Sequence, residues 1–166
     1  MSLAVLELND HQLSLYDYSG LLIASPAYVL AQTKQPIVGE AAEQQNRLHP
    51  ASINNEFWYR LGMNPLSRPF ANFRHYADMA YGHLLHLAQK SAYEGDVVLS
   101  VPASFTREQL AVLTGIMRHS PLKPVAMVDS ALPSLLARPN LDSLIYVDLQ
   151  LHQLTLTRVV VQDGQL

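Results

Sequence analysis

The sequence has no cysteine, which excludes disulfides, thiolate metal sites and cysteine-based catalysis. It is also short of charge: Asp, Glu, Lys and Arg make up 15% of its 166 residues, and the net charge is -3. Such a balance leaves no dominant basic patch and speaks against nucleic acid as the main ligand. No apolar run reaches the roughly 18 residues needed to span a bilayer. The opening MSLAVLELND lacks both the basic stretch and the cleavage site of a secretory signal. A cytoplasmic location is the default expectation and is not deduced from this. What the chain does have is apolar mass. At 49% hydrophobic it can bury a core of ordinary domain size, and its low charge suggests apolar surface left over for a partner.

The hydrophobic period changes along the chain. Residues 3–8 are a short apolar run, 12–16 alternate with Leu13 and Leu15 on one face, and 21–24 are apolar again after the turn residues Asp17-Tyr18-Ser19-Gly20. This predicts an opening meander of strands. Residues 33–70 differ in texture, with Pro36, Pro50, Pro65 and Pro69 and a helical patch near 40–48; they read as an insertion or small subdomain. Residues 73–90 carry Phe73, Tyr76, Ala77, Ala80, Tyr81, Leu84, Leu87 and Ala88 at helical spacing. A buried strand is expected at 96–101. Thr106 and Gln109 then form a capping box that opens a helix with Leu110, Leu113 and Met117 facing inward. A strand over 124–128, a short helix over 130–137 with Pro133 in its first turn, a strand over 144–149 and an alternating strand over 152–160 follow, with Asp163-Gly164 as a closing turn. Strands alternating with helices imply a parallel sheet with right-handed crossovers. A meander leading into such a sheet is the ribonuclease-H-like plan, an α/β fold with a mixed sheet and flanking helices.

The sequence also repeats itself. Glu7-Leu8-Asn9-Asp10-His11-Gln12-Leu13-Ser14-Leu15 aligns with Asp148-Leu149-Gln150-Leu151-His152-Gln153-Leu154-Thr155-Leu156, with five of nine positions identical and three more chemically close. Both copies sit where a buried strand turns into an alternating one. Shared leucine spacing could come from any two amphipathic hairpins; the shared acid and the His-Gln pair could not. A true repeat makes residues 1–142 a first lobe, with an insertion at about 33–70, and 143–166 the first strands of a second, truncated one.

A duplicated fold of this strand order resembles the actin-like ATPase superfamily, and within it heat-shock chaperones of the DnaK type. Three stretches carry the resemblance, which covers essentially the whole chain. Val38-Gly39-Glu40-Ala41-Ala42-Glu43-Gln44-Gln45, followed by His49-Pro50, is similar to the family's V/I-G-D-A-A-x-x-Q and N-P. Val98-Leu99-Ser100-Val101-Pro102-Ala103-Ser104-Phe105, with Gln109 after it, is similar to V-x-T-V-P-A-x-F and its Q. Tyr146-Val147-Asp148-Leu149 falls where the family has F-D-L-G-G-G-T.

Four departures from that pattern fall on phosphoryl-transfer machinery. Where the family's first phosphate loop reads D-L-G-T-T, this chain reads Glu7-Leu8-Asn9-Asp10-His11, and where the second reads G-G-G-T it has Gln150-Leu151-His152-Gln153. Glycine lets backbone N–H groups approach phosphates unobstructed. The family's catalytic lysine corresponds to Tyr59, before Arg60-Leu61, and its N-E-P-T acid to Ser130. Positioning and charge stabilisation supply nearly all of that catalysis, so no catalytic residue is assigned and ATP hydrolysis is not expected.

The weak nucleotide or anion site that remains consists of Glu7, His11, Asp148, His152 and Gln153. The resemblance implies that acids such as Glu7 and Asp148 hold magnesium through water; alternatively they satisfy strand ends and turns. His11 and His152, with Gln12 and Gln153, could replace glycine and threonine donors across the cleft, or could be exposed turn residues. No cofactor is expected, with ATP and magnesium left open by the resemblance. No metal site is expected either: His83 and His86 lack further ligands and, with His75, read as exposed helix histidines. Ser104 has no glycine-flanked elbow or paired base for a hydrolase. Tyr76, Tyr81 and Phe73 read as core or interface residues. Three functions stay open: a non-catalytic chaperone-like or scaffold protein that binds a partner or client; a divergent ATPase needing a second lobe; or a bacterial actin-like assembly protein. An uncovered strand pair at 144–166 would also expose an apolar face and a bare edge, so these residues are expected either to add to the first lobe or to pair with another copy, a possible self-association.

Overall fold

The computed structural model describes residues 3–31, 35–138 and 141–161. The expected turn at Asp163-Gly164 and the start of the insertion at Thr33 lie outside them. The chain opens with β1 (Ala4–Leu8), β2 (Gln12–Asp17) and β3 (Gly20–Pro26), an antiparallel meander. Its second turn is set by Asp17, whose carboxylate accepts the Ser19 N–H at 2.7 Å, and by Gly20 at φ 123°. Two further strands, β7 (Gly95–Val101) and β8 (Leu122–Asp129), join in parallel to give the order β3-β2-β1-β7-β8. The mixed sheet with flanking helices is the ribonuclease-H-like arrangement that the strand order implies.

Between the meander and β7 lie β4 (Val29–Leu30), β5 (Ile37–Val38), α1 (Glu40–Gln44), a 3-10 turn at Pro50–Ser52 and β6 (Ile53–Asn54), with the small sheet ordered β5-β4-β6. This segment is not peripheral. Phe57, Trp58 and Leu61, just beyond β6, are buried in the same core as Leu6, Leu13, Leu84 and Leu99.

Helix α2 (Tyr76–Ser91) starts three residues after the apolar pattern does. Its N-cap His75 is extended, and His75 Nδ1 accepts the Asp78 N–H at 3.2 Å while Arg74 pairs with the same Asp78. Phe73 is packed against the core from an isolated bridge with Phe70, so its apolar spacing reports burial and not helix. Helix α3 (Arg107–Arg118) begins with the full Thr106–Gln109 capping box. Strand β8 starts at Leu122, two residues before Pro124. The register against β7 slips where Val97 faces Pro124 and Val98 faces Ala126, as expected for a residue with no N–H to donate. A short α4 (Leu132–Leu136) leads to a separate antiparallel hairpin, β9 (Ser143–Leu149) and β10 (Leu154–Val160).

The expectation of exposed histidines on α2 is wrong for His83 and His75. His83 is fully buried against Trp58 and Ser25, and His75 is 9% exposed at the cap. Helical spacing alone placed them; a buried tryptophan from the insertion needing an acceptor for its N–H was not visible in it. His86 is half-buried.

Candidate functional site: the tips of the two hairpins

The two hairpins are built alike. Leu8 pairs with Leu13 in the first and Leu149 with Leu154 in the second, and Glu7 with Ser14 as Asp148 with Thr155. Each turn closes with the same backbone bond, Asn9 N–H to Gln12 O at 3.1 Å and Gln150 N–H to Gln153 O at 3.0 Å. Repeat-equivalent residues thus hold equivalent places.

The tips touch, and Asp10 makes the contact. Its carboxylate accepts the backbone N–H of Leu151 in a very short bond and that of His152 at 3.0 Å. His152 Nδ1 lies 3.1 Å from the same Oδ2, a hydrogen bond when the imidazole proton is on Nδ1. Asp10 is 1% exposed. Beside it, Asn9 Nδ2 reaches Asp148 Oδ1 at 3.5 Å and Leu149 O at 3.3 Å. Asp148 also accepts Gln150 Nε2 at 2.8 Å. Burial pushes the Asp148 carboxyl above its ordinary range, with the Gln150 bond opposing and the nearby Asp10 and Asp129 charges adding to the rise.

Of the five candidate residues, Glu7 and His11 lie on one side of this contact and His152 and Gln153 on the other. Glu7, His11 and Gln12 line a small cleft of about 260 Å³ with Asn9, Ser14, Leu149, Gln150 and Leu151. Glu7 accepts the Tyr16 hydroxyl at 3.3 Å, and His11 is exposed. His152 instead stacks on Tyr59, with ring centroids 5.6 Å apart and planes 18° from parallel. Gln153 Nε2 donates to Ser104 Oγ at 2.9 Å. Gln153, Ser104, Tyr59, Arg60, Thr106 and Gln109 border a second recess of about 470 Å³. So the structure does not set His11 against His152 as a matched pair. Asp148 is nearly buried under the tip contact. No group of three or more His, Asp or Glu side chains among the described residues could hold a metal ion.

Sequence reasoning missed Asp10 and Asn9 as members of the site. The signal was there: of the nine repeat positions, Asp10 and Leu151 are the one pair with no chemical likeness. Asp10 binds the backbone of its own counterpart. The resemblance also directs attention to Tyr59 as a lost lysine; its stacking on His152 is a contact of a different kind.

No protein-family model matches the chain, and no curated protein matches it in sequence. Among solved structures it is similar to the crystal structure of MreB5 of Spiroplasma citri bound to ADP, with a TM-score of 0.68 at 16% identity. That match covers 99% of this chain and 49% of the other, so the chain spans about half the length of the structure it resembles. The fold is therefore the actin-like one, a ribonuclease-H-like mixed sheet with flanking helices. No helix among the described residues is long and apolar enough to cross a membrane.

Proposed function

We propose that this chain is the first lobe, and the opening hairpin of a second, of an actin-fold protein that does not turn over nucleotide and acts by binding protein, as a cytoplasmic scaffold or chaperone-like factor. The observation that carries the reading is the seat of Asp10. Two backbone N–H groups at the second tip converge on a carboxylate of the same chain. In a nucleotide-binding cleft such groups would face a phosphate. A triphosphate entering there would meet the negative charge of Asp10, with Asp148 and Glu7 close by. Tyr59 offers an aromatic face in place of a lysine. The residues present do not fit ATP with magnesium, and no catalytic step is derived through it. The likeness to chaperones of the DnaK type belongs to this proposal, as does the absence of a nucleic-acid role.

A second reading, a bacterial actin-like assembly protein, draws on the similarity to MreB5 and on the apolar surface of β9 and β10. A phosphate-release assay on the full-length protein with ATP and magnesium tests the main reading. The expected result is release at the no-protein background, and steady hydrolysis above it would overturn the proposal.

A further inference from the structure

We propose that Asp10 is a built-in anionic ligand of the second hairpin tip, so that the two tips are latched by default and an external oxyanion binds there only by displacing Asp10. The inference rests on the reading of a cleft that does not turn over nucleotide, and it adds what regulates access to that cleft.

Three donors define the seat. The N–H groups of Leu151 and His152 are consecutive in the chain and point at one carboxylate. Successive backbone donors aimed at one point form an anion-binding concavity whatever anion fills it. The third is His152 Nδ1, 3.1 Å from the same oxygen that accepts the His152 N–H. The imidazole is held for this by its stack on Tyr59, which is tied in turn to α3 by the bond from Gln109 Nε2 to Tyr59 O at 2.9 Å. The donor set thus belongs to a braced structure and does not depend on Asp10 alone for its shape.

The occupant comes from 141 residues away in sequence and is 1% exposed. A buried carboxylate has to be satisfied by donors, and here the donors are those of the opposite tip. Asn9, next to it, fastens the same two tips through Asp148 and Leu149 O. Asp10 takes three donors, each within 3.1 Å, whereas the Asn9 bonds are longer, at 3.5 and 3.3 Å, so Asp10 is the main fastening. Because its carboxylate and an external oxyanion would use the same donors, the two exclude each other. A ligand of phosphate or pyrophosphate chemistry pays the latch energy on entry, so its apparent affinity is its intrinsic affinity multiplied by the small open fraction.

Amide resonances of Leu151 and His152 in the intact chain read this directly. In the unsubstituted protein both amides should exchange slowly with solvent and stay unshifted at millimolar pyrophosphate. In Asp10→Ala both should shift saturably with pyrophosphate, at an affinity at least about tenfold above the unsubstituted chain, the factor that one charge-assisted bond represents. Adding His152→Ala to that variant should weaken the binding again. If Asp10→Ala does not fold, Asp10→Asn keeps the shape while removing the charge, and the same gain is expected in smaller degree. A folded variant whose Leu151 and His152 amides ignore pyrophosphate would overturn the proposal. So would exchange of those amides at unprotected rates in the unsubstituted chain. Neither readout involves turnover, so ATP hydrolysis by the protein would defeat the proposed function and leave the latch standing or falling by itself.

Discussion

Trp58 Nε1–H donates to His83 Nδ1 at 3.0 Å, and His83 Nε2 lies 2.9 Å from Ser25 Oγ. The insertion, the long helix α2 and the edge strand β3 are therefore joined through one buried imidazole. That geometry requires a neutral ring with its proton on Nε2, donating to Ser25. A second proton would have to enter on Nδ1, where the indole N–H already points.

Burial drives the His83 pKa down to about 3, with His86 one turn along adding to the fall and the Ser25 bond opposing it. In the unfolded chain the ring titrates near 6.5. Below that pH the unfolded state takes up a proton that the folded state refuses, so stability falls with pH at about 1.4 kcal/mol per unit until the folded pKa is reached. His86, lowered by its burial and by Lys90, acts in the same direction. Asp78 is lowered on balance, its burial outweighed by the bonds from Arg74, and also loses stability in acid. Asp148 is raised and acts the other way. Urea unfolding of the protein and of His83→Gln separates these contributions. The unsubstituted chain should lose about 2 kcal/mol more than the variant between pH 7 and pH 5. Equal losses would show that His83 is not the buried neutral group described here.

Gly39 meets the same network from another side. At φ 78° it occupies the left-handed region, and a Cβ there would stand 2.8 Å from Ser25 Oγ and 2.9 Å from His86 Nε2. Gly39→Ala should therefore cost about 2 kcal/mol, from backbone strain and a contact that can be relieved only by moving Ser25 away from His83. Chemical denaturation of the single variant measures it. A loss below about 0.5 kcal/mol would mean that the insertion packs less tightly than the structure shows.

The fold was legible because its signals are local. Alternation marked β2 and β10, the Thr106–Gln109 box marked the start of α3, and Pro102 and Pro133 fell at an end and a first turn. The repeat was legible too, since the two hairpins share register and turn bond. What was not legible depends on residues far apart in sequence. Nothing near His83 announces that Trp58, 25 positions earlier, needs an acceptor. Nothing near Asp10 announces the backbone of Leu151. Resemblance to a family directs attention to residues that are missing, and it says little about what fills their place.

Tyr59 tests that last point. The resemblance puts a lysine there, so Tyr59→Lys restores one part of the phosphoryl-transfer set. With Asp10 still seated between the tips, the variant should show ATP hydrolysis no higher than the unsubstituted protein in a phosphate-release assay. Its His152 ring, freed of the stack, should become more accessible to solvent and to diethyl pyrocarbonate. Hydrolysis gained by this change alone would mean that the lysine, and not the latch, is what the cleft lacks.

The hairpin beyond the latch carries an association surface of its own. Across β9 and β10, Leu149 faces Leu154 and Val147 faces Leu156, and the four side chains are 52–72% exposed. Ile145, 68% exposed, continues the row opposite Arg158. The other face is the one that packs, with Val159 against Ala131 and with Leu132, Leu144 and Tyr146 around them. Neither strand pairs with a third among the described residues, so both edges offer free backbone groups beside an apolar row. A two-stranded ribbon in that condition is stabilised by more sheet, and in a solution of this chain the available sheet is a second copy. Sedimentation should show reversible association that grows with protein concentration. Val147→Lys with Leu156→Lys should abolish it while changing the unfolding free energy by less than about 0.5 kcal/mol each, because exposed positions contribute little to the folded monomer. A chain that stays monomeric at every concentration would show that the row is too narrow, or too well screened by Arg158, to hold two copies together.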